Sequence, residues 1–455
     1  MDKLRRKFLL IFFTGFIVVL FLTVKTPTTY RSIPKPRGPS AECPPWISED
    51  SITPLNGTKH LLVSAYMDQR VKGFDIRIIG MFKRDSIQPL HCLFCCAGWL
   101  STTTPATISQ HSDNFGFPFV TTDVMCPIPE NCTATHVSLL TKPDRVGVFN
   151  QPWLPIRNKK EENKLQFDFT VCVSNLFGDY NNVLQFAQTL EMYRLLGVNR
   201  VVIYKTSCGP DLDRLLQSYS QEGFVEIVPW PIDQHLNPSR GWLFSEHGGD
   251  VHYFGQLTTL NECVYRSMHR SRYVLLNDID EIVMPYQHDN LQALMDVLQK
   301  QHPDTGVFLI ENHIFPKTHF EPSGRFHLRQ WNKVAGVNIL EHIYREEPAR
   351  NIYHPYKLIV QPRMVEQTSV HEVLKNSGPW FKVPPDVCRL IHVRVALRGS
   401  LKLEELNVDK RLWTFSAKLI PNVDKQLKKV GLLTSEGGEL TDGGDKRSDG
   451  QVEQV

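Results

Sequence analysis

Tyr273-Val274-Leu275-Leu276-Asn277-Asp278-Ile279-Asp280-Glu281 is a short apolar run that breaks abruptly into acids. A strand buried on both faces in a parallel sheet reads as such a run, and open α/β sheets bind ligands beyond the carboxyl ends of their strands. Asp278 and Asp280 are therefore delivered where ligands bind. Alternate residues of an extended segment share a face, which aims both carboxylates at one cation. Paired hard oxygens suit Mg²⁺ or Mn²⁺ holding a diphosphate. A second triplet, Asp211-Leu212-Asp213, is an internal control. It follows Gly209-Pro210 and opens an amphipathic run through Leu212, Leu215, Leu216 and Tyr219, so its acids read as the start of a helix.

Strands and helices alternate around the decisive stretch, the mark of a parallel sheet. Phe167 to Val173, Val201 to Tyr204 and Phe224 to Val228 read as strands. Tyr180 to Leu196 and Asp211 to Glu222 read as the helices between them, each closed by a glycine. Val251 to His269 reads as a longer helix feeding the aspartate-bearing strand, with a helix at Asn290 to Lys300 and a strand at Gly306 to Ile310 beyond it. After Asn312 the regularity breaks down and His, Trp, Phe and Arg become frequent, as on a binding surface or on the packed flank of a large domain. Upstream, residues 58–164 hold short β-type runs separated by turns and cysteines, a smaller β-rich region ahead of an α/β body at 165–425. Residues 426–455 are rich in Gly, Asp and Glu and read as a disordered acidic tail.

The N-terminus carries an address. Lys3, Arg5, Arg6 and Lys7 precede an uncharged apolar stretch from Phe8 to Val24, closed by Lys25. This is the short end of a membrane span, and no small-x-small cleavage site follows it; a cleaved signal peptide is the competing reading. The positive flank keeps 1–7 cytoplasmic, 8–24 is the anchor, 25–57 is a Pro-, Ser- and Thr-rich stem, and the remainder is lumenal. A span this short suits a Golgi membrane better than the plasma membrane. Asn56-Gly57-Thr58 and Asn131-Cys132-Thr133 are glycosylation sequons, and all ten cysteines follow the span. In that compartment disulfides outrank a zinc site for the cluster Cys92, Cys95, Cys96, Cys126 and Cys132, with the pairing left open. Net charge is +3, which gives no support to nucleic-acid binding.

From about Val171 to Val395 the chain resembles glycosyltransferase family 92. The matching pieces are Val171-Cys172-Val173 with Leu176-Phe177-Gly178, then Leu195-Leu196-Gly197-Val198, Ile203-Tyr204, and Leu216, Tyr219, Gly223 and Val225. Gly255-Gln256, Asn261-Glu262-Cys263, Asp278-Ile279-Asp280-Glu281, then Lys357, Ile359, Val360, Pro362, Val365 and His371, and finally His392-Val393-Arg394 follow in order. Ser64-Ala65-Tyr66, Asp68 and Arg70 resemble the family's N-terminal region. Their order and spacing together carry the likeness. It implies a GT-A nucleotide-diphospho-sugar transferase fold and inverting transfer of galactose from UDP-galactose, in β-linkage, to fucose or galactose on glycoprotein glycans.

The resemblance also implies roles. Asp278, Asp280 and His371 are the expected ligands of Mn²⁺ or another divalent metal, with His392 a weaker candidate and Glu281 orienting the pair. Glu341 or Glu311 is the expected catalytic base, Glu372 being the other acid in the interval. Asn175, Tyr204, Gln256 and Asp278 are expected at the nucleotide. The alternatives are a silent glycan-binding protein on the same fold, a transferase for another UDP-sugar, and a metal-dependent enzyme acting on nucleotides or phosphate esters. The intact aspartates speak against the first, and the stem, the anchor and the lack of a phosphate loop against the last.

Overall fold

The computed structural model describes residues 42–43, 47–144, 150–159, 164–351, 355–396, 399 and 401–433. The expected cytoplasmic tail, anchor and most of the stem lie outside these residues, as does the chain from 434 onward. Among the described residues no helix is long and apolar enough to cross a membrane.

The chain folds as mixed α/β. The body is built from β1 (Phe167–Leu176), α1 (Val183–Leu195), β2 (Arg200–Lys205), α2 (Pro210–Gln221) and β3 (Val225–Pro229). It continues through α3 (Gln256–Ser267), β4 (Ser271–Asn277), β5 (Glu281–Pro285), α4 (Leu291–Gln301) and β6 (Val307–Pro316). β7 (Tyr356–Val360), β8 (Cys388–Arg394) and α5 (Ser416–Lys429) complete it. The sheet runs β3-β2-β1-β4-β7-β6-β8-β5. β1 to β4 are mutually parallel, and β7 is antiparallel to both β4 and β6. The strand order reverses between β1 and β4, the kind of place at which open α/β sheets bind ligands.

Alternation along each strand sends side chains to two cores. Val171, Val173, Ile203, Leu275 and Ile310 pack with α1, α2, α4 and α5. Cys172, Val202, Leu276 and Leu358 pack with α3 and with Leu61, Val63 and Met81 of the N-terminal region. A disulfide from Cys172 to Cys263 ties α3 to β1. The acids of the control triplet lie in the first turn of α2, behind its N1 proline, where Asp211 pairs with Arg214 and Asp213 with Lys205.

Two element readings need correction. The long helix expected over Val251 to His269 begins only at Gln256, because Tyr253 (φ 38°, ψ 61°) and Phe254 (φ 53°, ψ 27°) take left-handed backbone ahead of it. Such strain persists where surroundings over-determine it. Here Asn175 Nδ2 donates to the carbonyls of Tyr253 and Phe254 at 3.0 and 2.9 Å, and Trp230 Nε1 donates to Phe254 at 2.8 Å. At the other end, α5 runs past the boundary drawn at 425, since Val423 and Leu427 are buried against the α1 side of the core.

The N-terminal region is a second, ten-stranded sheet. Leu61–Met67, Ile76–Lys83 and Phe119–Cys126 form an antiparallel ladder, and His91–Cys96 pairs with Ala134–Leu140. The cysteine cluster is oxidised as Cys43–Cys95, Cys92–Cys126 and Cys96–Cys132, which leaves no thiolates for a zinc site there. Both sequon asparagines sit on exposed turns.

Candidate functional site

Asp278, Ile279 and Asp280 form a turn rather than the extended segment expected. Two contacts cause this: the Asp278 N–H donates to Glu281 Oε2 at 2.9 Å, and Ile279 is buried in the core. Antiparallel pairing of Leu276 with Leu358 sets the start of β7 beside the end of β4 and brings Lys357 to the acids. Its Nζ lies 2.7 Å from Asp278 Oδ2 and 3.2 Å from Glu281 Oε2. Pairing of Glu281 with His392 across β5 and β8 does the same for Asp280. His392 Nε2 is 3.1 Å from Asp280 Oδ2, and its Nδ1 is 3.4 Å from Glu281 Oε1. Glu281 thus stands behind both aspartates, touching the partner of each.

Burial sets the electrostatics. The Glu281 carboxyl is pushed up to about 7 by burial, against the pull of Lys357. Burial works against charge on Lys357 as well, but Asp278 and Glu281 outweigh it and raise its pKa. Burial likewise disfavours charge on Asp280 and on His392. Their mutual attraction prevails, lowering the Asp280 pKa and raising that of His392. The two aspartates keep some access to solvent, 25% and 16% of their side-chain surface.

His371 rides on a hairpin of Val365–Thr368 and Val373–Asn376. The N-terminal region and α3 hold that hairpin. Asn261 exchanges hydrogen bonds with both the N–H and the carbonyl of Thr368, at 2.9 and 2.8 Å. Gln367 donates to Asp123 at 2.8 Å, Arg77 pairs with Glu366 at 3.2 Å, and Ser369 donates to Asp113. The His371 ring stacks on Trp242, with centroids 5.6 Å apart. Its Nδ1 lies 3.1 Å from the Tyr356 carbonyl, which can only accept, so Nδ1 carries the proton and Nε2 the lone pair. A histidine that ligates a metal through Nε2 needs that tautomer. Burial, with Lys357 nearby, holds its pKa down to about 4.

The remaining candidates separate. Asn175 is committed to the left-handed turn, and its Oδ1 accepts from Thr259 at 3.1 Å. Gln256 donates to Ser174 at 3.0 Å while its buried Oε1 lacks a hydrogen-bond partner. Tyr204 donates to Glu262, a buried carboxylate that also collects Tyr66, Arg157 and Arg266. That network borders a separate cavity of about 510 Å³ lined by Trp230, His235 and Glu226, with none of the metal candidates. Glu311 pairs with Arg350 through both oxygens, at 2.6 and 2.9 Å, and with His313 at 2.9 Å. It projects from the sheet face opposite to Lys357, because Lys357 is level with Ile310. Glu341 lies elsewhere, 2.8 Å from His327 beside a cavity of about 310 Å³ over α1. Among the described residues no three His, Cys, Asp or Glu side chains are already gathered as a metal cage.

Sequence reasoning missed three neighbours. Lys357 as a partner of the acids was signalled only by a cation inside an otherwise apolar strand. Trp242 and His252 carried no signal. The His252 ring is buried, stacks on Phe115 at 4.2 Å, and has no hydrogen-bond partner on either nitrogen.

Two proteins of Caenorhabditis elegans are similar to this chain. Glycosyltransferase family 92 protein F13G3.3 is 24% identical over 242 residues, 51% of this chain and 43% of that protein. Beta-1,4-galactosyltransferase galt-1 is 24% identical over 191 residues, 40% of this chain and 42% of that protein. The chain thus spans less than half the length of the curated relatives it matches. The model of glycosyltransferase family 92 matches residues 167–430, from the start of β1 to the end of α5 and more than half of the sequence, and the chain belongs to that family.

Proposed function

We propose that this chain is an inverting transferase of GT-A fold that moves galactose from UDP-galactose, in β-linkage, to galactose or fucose on glycoprotein glycans. In this reading it works in the Golgi lumen behind a type II anchor. The observation that carries the proposal is the seating of Asp278 and Asp280 at the carboxyl end of β4, beside the reversal of strand order where nucleotides bind in open sheets. The relative named as a β-1,4-galactosyltransferase supports the donor.

Asp278, Asp280 and the lone pair of His371 would hold a divalent cation. Two carboxylates and one imidazole would leave room on such a cation for waters and substrate phosphates. With the cation bound, negative charge on the departing diphosphate is offset. Lys357 and His392 hold the two aspartates in place, and Lys357 has to give up Asp278 as the cation binds. Gln256, with its unpartnered oxygen, is the best placed of the nucleotide candidates. Of the two bases, Glu311 is the better placed, since its cross-strand partner Tyr356 supplies the carbonyl that orients His371. Its carboxylate would take the proton of the acceptor hydroxyl once Arg350 moves aside.

A secreted form from Ser40 onward, supplied with Mn²⁺ and a panel of UDP-sugars, tests the reading. Transfer from UDP-galactose, abolished by Asp280→Asn at an unchanged melting temperature, is expected. Glu311→Gln should lower kcat at least 100-fold and Glu341→Gln much less. A fully active Asp280→Asn variant would sink the proposal. The prior pairing of both aspartates favours a second reading, a silent glycan-binding protein. Failure with every donor, together with glycan binding unaltered by Asp280→Ala, would establish that one.

A further inference from the structure

Trp380 is the most exposed large apolar side chain among the described residues, at 60%, yet it is not on a loose loop. It begins a short strand, Trp380–Lys382, hydrogen-bonded in parallel to β6 with Trp380 level with Val307 and Lys382 level with Leu309. The turn ahead of it is set by Gly378 (φ +96°), where any Cβ would come within 2.7 Å of the Asp304 carbonyl oxygen. The indole is therefore presented from a rigid support.

Its surroundings are polar. Lys382 Nζ lies 5.9 Å from the Trp380 ring and 4.9 Å from the Tyr356 ring. Tyr356 is level with Glu311 on β6, and Arg350, half exposed, covers the Glu311 carboxylate. Pairing across β6 puts Trp380, Lys382, Tyr356 and Glu311 on one face of the sheet. The Tyr356 carbonyl holds His371, so one residue of this shelf touches the candidate site. From the level of Trp380 to that of Glu311 is four strand residues, roughly 13 Å.

We propose that this shelf is the acceptor subsite, with Trp380 stacking a pyranose ring of a neutral oligosaccharide whose terminal hydroxyl is led toward Glu311. The inference rests on the transferase reading above. An indole offers a flat apolar face, and a pyranose offers a C–H face with a rim of hydroxyls. Lys382, the Tyr356 hydroxyl and Arg350 are donors placed to meet that rim. A protein partner would ask for a contiguous apolar patch, and none of the other exposed large apolar residues belongs to this ladder.

The test uses the secreted chain with UDP-galactose and two acceptors, a monosaccharide glycoside and an extended oligosaccharide ending in the same sugar. Trp380→Ala should cut the preference for the longer acceptor, read as the ratio of kcat/KM values, by about tenfold, and Trp380→Phe should restore most of it. Melting temperature checks the fold of each variant. An unchanged ratio in Trp380→Ala overturns the proposal. Hydrolysis of UDP-galactose by the wild-type chain reports the transferase reading separately. If the chain proves inactive with every donor, direct titration with the oligosaccharide decides the subsite. Binding lost in Trp380→Ala supports it, and equal binding by the two proteins refutes it.

Discussion

Replacing Arg77 with methionine would remove the cation from a buried network that joins the N-terminal sheet to the His371 hairpin. Arg77 pairs with Asp68 at 2.9 Å, with Asp123, and with Glu366 at 3.2 Å. The side chains of Asp68 and Asp123 are 0% and 1% exposed, so water cannot replace the lost partner. Breaking a buried pair from one side costs about 3–5 kcal/mol. Asp68 keeps Arg70 at 2.7 Å, whereas Asp123 keeps only His111 at 3.1 Å and Gln367 at 2.8 Å, so Asp123 carries most of the loss. Asp123→Asn in the same chain should recover part of it, giving a coupling on the order of 0.5–3 kcal/mol. Urea unfolding followed by tryptophan fluorescence, with disulfides intact, measures Arg77→Met, Asp123→Asn and the double variant. Acid provides a second arm. Burial alone would raise the Asp68 pKa, but Arg70 and Arg77 reverse this and hold it at about 2 against an ordinary 3.8. A depressed folded-state pKa gives stability that is present above about pH 4 and lost as pH falls toward 2, on the order of 2 kcal/mol. That acid-sensitive portion should shrink in Arg77→Met. A loss below about 1 kcal/mol, or costs that simply add in the double variant, would refute the reasoning.

Removing the Cys172–Cys263 disulfide as a double alanine variant frees a loop with a sequence separation of 91 and should cost about 4–5 kcal/mol. An unchanged urea midpoint would contradict that. Gly336→Ala should lower stability by about 1–3 kcal/mol, because φ is +116° there and a Cβ would meet the Asn182 backbone at 2.9 Å. A neutral melt would mean that the loop yields freely. His371→Ala should raise the half-saturating Mn²⁺ concentration for transfer at least tenfold, and an identical metal titration would exclude it as a ligand.

The β1 to β4 alternation and the position of Asp278 and Asp280 were legible because each is written locally. Apolar runs make strands, glycines close helices, and a carboxylate pair at the end of a strand stands out. The oxidised cysteine cluster was legible as a class but not as pairs, since pairing depends on which strands become neighbours. The bend ahead of α3 was invisible because its cause is remote: Asn175 and Trp230 impose left-handed backbone on Tyr253 and Phe254. Sequence alone thus determined the α/β order and the place where the acids follow β4, since both follow from short-range pattern. Only tertiary structure decided what surrounds those acids. Lys357 and His392 lie 79 and 112 positions from their aspartates, and only the antiparallel registers of β7 with β4 and of β5 with β8 bring them into contact.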